Sequence, residues 1–123
     1  MKVGTDAMIL GSLIPEGKYV NALDVGTGKL HFSVNGTWLN SGNPATGANP
    51  QITLTNSSPD PLHAFVGFNS DSSMTAHLNF GSGYFGTTAV ASANADANGH
   101  GAMEYTVPSG FYTLNTKNIK EFG

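Results

Sequence analysis

The sequence predicts an all-β fold, a β-sandwich of two packed antiparallel sheets, on three observations. Residues 29–35, KLHFSVN, alternate with a period of two, the pattern of a half-buried strand. Asn35-Gly36 follows at once, and both positions tolerate the positive φ of a type I′ hairpin turn. Glycine is plentiful, and Asn, Ser and Thr fill the spaces between short apolar runs, as in a strand-rich chain that turns often.

Each element follows in order. The opening stretch holds only a short apolar patch, with Asp6 before it and Pro15 and Glu16 after it; this is a poor secretory signal. KYVNALDV (18–25) is apolar enough for a strand, and Gly-Thr-Gly (26–28) breaks it. In 29–35, Leu30, Phe32 and Val34 share the expected core face, and Lys29, His31 and Ser33 point outward. The TWL stretch (37–39) returns along the same sheet, with Trp38 packed on or beside that apolar face. Residues 40–50, rich in Asn, Gly and Pro, are a loop. QITLT (51–55) is a short strand, and NSSPDP (56–61) turns the chain again. Strands at 63–69 and 74–80 pair around Ser-Asp-Ser-Ser. In the second, Met74, Ala76, Leu78 and Phe80 lie opposite Thr75, His77 and Asn79. Residues 86–103 read as an irregular, mobile excursion. MEYTV (103–107) is a last strand, and apolar residues of 111–122 strap the chain across the sandwich. No internal repeat and no long amphipathic helix stands out. The 123 residues make one domain by length.

Composition excludes several functions. All five basic residues are lysines and the net charge is −3, so no basic stripe can neutralise phosphates; nucleic acid is not an expected partner. No apolar run approaches the roughly 18 residues of a membrane span, so membrane insertion is not expected. Without cysteine there is neither disulfide, thiolate nucleophile nor cysteine-bound zinc.

Candidate chemistry is thin. His31, His63, His77 and His100 lack the spacing of a local metal pair, though His31 and His77 on adjacent strands would share a ligand. Asp24, at a strand end before a turn, is expected to accept hydrogen bonds from the turn amides. Glu104 has no visible partner and belongs on a solvent face. Glycoside hydrolysis needs two carboxylates about 5–9.5 Å apart, and no convincing pair is visible. Residues 94–101 and 69–73 are rich in oxygen, but each has one aspartate where calcium takes about six to eight oxygens with several carboxylates among them. No serine sits in a G-x-S-x-G elbow, and Gly-Thr-Gly-Lys (26–29) is too short for a phosphate loop. Asn35 and Asn56 match the N-glycosylation pattern, which has meaning only in a eukaryotic secretory setting. No cofactor and no metal is expected.

Aromatic residues are the better lead. Trp38, Tyr84, Phe85, Tyr105, Phe111 and Tyr112 exceed what the alternating faces require. Trp and Tyr serve as flat platforms for sugars when exposed and as core filling when buried. Trp38 is expected at the core or its edge; Tyr84 and Tyr112 are the ones to test for exposure.

The order of three motifs is similar to that of a known family. VNALDVGTGKLHFSVNGTWL (20–39) resembles the central segment of SPRY domains, AHLNFGSGYF (76–85) their Asn-Phe-Gly strand, and VPSGFYTLNTKNI (107–119) their closing Pro-x-Gly-aromatic segment. The wording is especially like SPRY-type domains of phage and marine-metagenome structural proteins, some with an insertion like 86–103. The resemblance, over about residues 17–122, implies a concanavalin-like sandwich whose loops at one end bind peptides, proteins or glycans. The family has several strands before its Leu-Asp strand, whereas this chain has only some 16 residues there. A sandwich short of those strands would leave open edges, which a homo-oligomer or another subunit would cover.

The resulting expectation is a non-catalytic recognition or structural module, in a virion or extracellular setting if the phage likeness holds. It would meet a glycan or protein surface through loops 40–50, 69–73 and 86–103, with little dependence on salt. The expected contacts are Trp38, Tyr84, Tyr112, Asn43, Asn49, Asp71 and Asn98. The alternatives are a glycan-active enzyme using Asp24 or Asp71 with Glu104, and a pure assembly subunit.

Overall fold

The structure, a computed structural model, describes residues 2–10, 17–55 and 75–122. The expected turn at 56–61, the strand at 63–69, His63, Asp71 and Met74 lie outside the described residues. Within them the chain is mostly strand in antiparallel sheets with almost no helix, and the fold is all-β.

The largest sheet is built around a strand that composition alone did not mark. β1 (Lys2–Leu10) pairs antiparallel with β2 (Gly17–Asp24) along nearly its whole length, from Lys2↔Asp24 to Ile9↔Gly17. β3 (Lys29–Val34) pairs with β2, again antiparallel, from Tyr19↔Val34 to Asp24↔Lys29. Two short strands share the outer edge of β3: β4 (Thr37–Trp38) beside Ser33 and Val34, and β5 (Ile52–Thr53) beside Lys29 and Leu30. On the far side of β1 lie β6 (Thr75–Asn79), antiparallel, and β9 (Tyr112–Thr113), parallel. Between these come β7 (Tyr84–Phe85) and β8 (Thr88–Ala89), a separate two-stranded hairpin. The first 16 residues thus contribute a strand interior to the sheet, where a deficit of strands was expected.

The turns behave as their residues dictate. Asn35 and Gly36 have φ of 49° and 83°, both positive as a type I′ turn requires. Asp24 Oδ1 accepts the Gly26 and Thr27 N–H groups at 3.0 and 3.4 Å, and its carbonyl accepts from Gly28 at 2.7 Å. That is the expected turn-capping role.

The faces of the sheet are the reverse of those expected. Directly paired residues share a face, so the pairs Val20↔Ser33 and Ala22↔His31 place these four together. All four are buried, as is Asn79 on β6. Leu30, Phe32 and Val34 are only half-buried, and Leu78 is exposed. Trp38 pairs with Ser33, so it stands on the polar-lettered face and not with Leu30, Phe32 and Val34. The reason is what covers that face. Chain from β7 onward lies over it: Lys18 Nζ meets Glu104 and sits 5.8 Å from the centre of the buried Phe85 ring, and Asn79 Nδ2 donates to the Ala102 carbonyl at 2.9 Å.

Segment 86–103 carries little regular structure but is held at defined points. It opens with the end of the β7–β8 hairpin, and Asn94 bridges Met103. The Asn94 side chain also donates to the carbonyls of Met103 and Glu104 at 3.2 and 3.0 Å, so amide side chains replace a strand ladder. The expected strand at 103–107 is absent; only the isolated Met103 bridge remains. The C-terminal strap is strand β9 followed by helix α1 (Thr116–Phe122). Asn115 caps α1: its Oδ1 accepts the Asn118 N–H at 2.9 Å, as N-cap residues do.

Candidate functional site

A concavity with aromatic walls lies over the β2–β3–β4 end of the buried sheet face. Val20, Ser33, Gly36, Trp38, Tyr105 and Thr106 line a pocket of about 200 Å³. The sheet supplies Val20, Ser33 and Trp38, and the turn supplies Gly36. Gly36 is required twice: its φ is 83°, and a Cβ there would lie 2.9 Å from the Tyr105 ring. The glycine lets that ring settle on the hairpin. Trp38 and Tyr105 are both half-buried. Ser33 Oγ is buried and has no hydrogen-bond partner.

The adjoining loop is anchored on the same strand. His31 Nε2 donates to the Ala48 carbonyl at 3.0 Å, and Lys29 Nζ to the Gly47 carbonyl at 2.9 Å. Gln51 ties Phe32 N–H (2.6 Å) to the Leu39 carbonyl (2.8 Å) through its amide. The Ala48 carbonyl requires a proton on Nε2, and Nδ1 is buried without a partner. His31 is thus a loop anchor, not the outward residue expected. His77 is half-buried on β6, and β2 and β1 separate β3 from β6; the two histidines do not share a ligand.

A second, open groove of about 700 Å³ runs between β6 and α1, walled by Leu78, Phe80, Ala102, Leu114 and Ile119 with His100. Leu78 and Ile119 are 42 % and 54 % exposed.

The described carboxylates whose side chains are placed all have assignments. Glu104, expected on a solvent face, is buried; it accepts from Lys18 Nζ at 2.5 Å and from Ala91 N–H at 2.7 Å. Burial pushes this carboxyl up, but the Lys18 ammonium and the Ala91 amide outweigh it and hold the group below its ordinary value. Asp96 is buried in a cage of donors. Oδ1 accepts from the Asn98 and His100 amides at 3.0 Å; Oδ2 accepts from Thr113 N–H and Oγ1 at 2.9 Å and from Asn118 Nδ2 at 2.6 Å. Burial pushes Asp96 up as well, yet the bonds from Thr113, Asn118 and His100 prevail and bring it from 3.8 to about 2. A carboxylate facing amide and hydroxyl donors is a structural hub, and its oxygens are taken by hydrogens where calcium would need them. Glu121 meets His100 Nε2 at 2.9 Å. Among the described residues no three His, Asp or Glu side chains gather as a metal site.

The expected contact residues do not converge on one place. Trp38 lines the aromatic pocket. Asn43 and Asn49 are exposed on the anchored loop, where Asn43 bridges Ala48 and Asn49 has a φ of 49°. Tyr84 is 53 % exposed on β7, while Tyr112 is half-buried on β9. Asn98 belongs to the Asp96 cage and donates to Asn118 Oδ1 at 3.1 Å. Tyr105, which builds the pocket, was visible in sequence only as one of many aromatics; nothing in its neighbours tied it to Trp38. No protein-family model, curated protein or solved structure matches the chain.

Proposed function

We propose that the chain is a non-catalytic recognition module, a SPRY-like sandwich of the concanavalin type, that binds a glycan or protein surface. The observation that carries this reading is the Trp38–Tyr105 pocket beside the anchored 40–50 loop. Aromatic walls with a few polar atoms are what recognition sites offer. Asn43 and Asn49 stand exposed on the neighbouring loop as amide contacts. The engaged carboxylates support the same side: Asp24, Asp96, Glu104 and Glu121 each hold structural partners, whereas a glycosidase needs two carboxyl groups facing a substrate.

Binding would then depend on shape, amides, hydroxyls and rings, and vary little with ionic strength. The test is a glycan and peptide array probed with the intact chain, followed by titration of hits at low and high salt. Saturable binding with a shallow salt dependence supports the reading; turnover of a glycan, or affinity collapsing with salt, overturns it. The Leu78–Ile119 groove favours a second reading, an assembly subunit that buries apolar surface against a neighbour. Sedimentation of the purified chain decides it: a stable monomer at high concentration removes that reading.

A further inference from the structure

We infer that the Trp38–Tyr105 pocket binds a single neutral, hydroxyl-bearing sugar ring, a terminal residue of a glycan. This rests on the recognition reading and makes it specific. Size comes first. About 200 Å³ lies below the roughly 300 Å³ at which pockets for drug-sized ligands begin, yet holds several waters at about 30 Å³ each. That is room for one ring.

Charge comes next. Among the described residues the lining is Val20, Ser33, Gly36, Trp38, Tyr105 and Thr106, and these offer neither a carboxylate nor an amine to a charged ligand. A phosphate, a sulfated sugar or an ammonium group would lose its hydration without gaining an opposite charge.

The decisive feature is Ser33. The register places it on the same face as Val20 and Trp38, its residue is only 1 % exposed, and its Oγ lacks a partner. A buried hydroxyl left unpaired is a standing cost. An apolar amino-acid side chain seated in the pocket would leave that cost in place. A ligand hydroxyl removes it by forming the missing bond. A sugar ring also presents C–H groups to aromatic walls and hydroxyls at its rim, which matches Trp38 and Tyr105 on one side and Ser33 and Thr106 on the other.

Trp38 is the only tryptophan, so its emission reports on this pocket alone. The intact chain is titrated with the methyl glycosides of glucose, galactose, mannose and N-acetylglucosamine, with tryptophan emission and the indole N–H resonance as readouts. At least one glycoside is expected to saturate both signals in the millimolar range, as suits so small a ligand. Ser33→Ala is expected to weaken that glycoside by about tenfold while leaving the melting temperature unchanged or higher, because it deletes an unpaired polar atom. Tyr105→Leu is expected to abolish the response with the fold retained by circular dichroism.

Silence of Trp38 to every glycoside overturns the inference, and so does equal affinity in Ser33→Ala. If the array still finds a ligand in either case, the recognition reading survives and only the pocket assignment falls. If a peptide, and no sugar, shifts the Trp38 signal, the sugar class is wrong. If neither array nor titration yields a ligand, both readings fail together.

Discussion

Replacing Asp96 by asparagine tests how the second half of the chain is held. Whichever way the new amide turns, its NH₂ must face donors: either the Asn98 and His100 amides, or Thr113 and Asn118. At least two hydrogen bonds to a charged acceptor are lost, and buried donors are left facing another donor. Losses of this kind cost about 1–3 kcal/mol each, and the site relaxes in part, so about 3 kcal/mol is expected at pH 7. With a urea slope of about 1.5 kcal/mol/M for a chain of this size, the midpoint falls by about 2 M. The acid limb gives an independent measure. A carboxyl that moves from 3.8 to about 2 on folding contributes about 2.4 kcal/mol of stability. Because the folded value is the lower, that contribution is complete above about pH 5 and drains as the pH falls through 4 towards 2. Asp96→Asn lacks it, so the gap between variant and parent is expected to narrow by about 2 kcal/mol across that window. Urea melts of both chains at several pH values from 7 down to 2 provide the check. A midpoint within about 0.3 M of the parent at pH 7, or parallel stability–pH curves, would falsify the donor-cage account.

Four further substitutions separate the physical effects. Gly28→Ala places a Cβ 2.0 Å from the Leu54 carbonyl oxygen, in a turn with φ of 71°; a loss of about 3 kcal/mol or more is expected. Gly99→Ala has a similar φ of 75° with nothing within 4 Å, so it isolates the conformational cost of about 1 kcal/mol; equal losses in denaturant melts would refute the steric part. Glu104→Gln removes the Lys18 ion pair and weakens the bond from Ala91, and about 1–2 kcal/mol is expected, seen as a drop of several degrees in Tm. Glu121→Ala breaks a pair whose glutamate side chain is half exposed, and its Tm is expected to stay within about 2 °C of the parent.

Local features were legible in the sequence because they are decided locally. The positive φ values of Asn35 and Gly36 and the capping of the 24–28 turn by Asp24 follow from neighbours within four residues. The strand of 29–34 was readable from its period of two. Strand β1 was missed because MKVGTDAMIL alternates poorly, and its pairing is settled by β2, β6 and β9. Helix α1 was missed although Asn115 is a good cap, because seven residues carry little periodic signal. Asp71 and the strand at 63–69 lie outside the described residues, so those expectations stand where the sequence left them.

The sequence by itself determined the extended run of 29–34 and the reversals at 24–28 and 35–36, since these follow from short-range sterics and alternation. Only the tertiary structure decided which side of the sheet is the interior. Alternation separates two faces but does not say which will be covered, and here residues from β7 onward cover the one bearing His31, Ser33 and Asn79. Carbonyls and amides brought from distant chain satisfy most of those polar groups, so their letters looked like solvent contacts. The same long-range packing set Tyr105 against Gly36 and beside Trp38, a meeting of residues nearly 70 positions apart that no local pattern encodes.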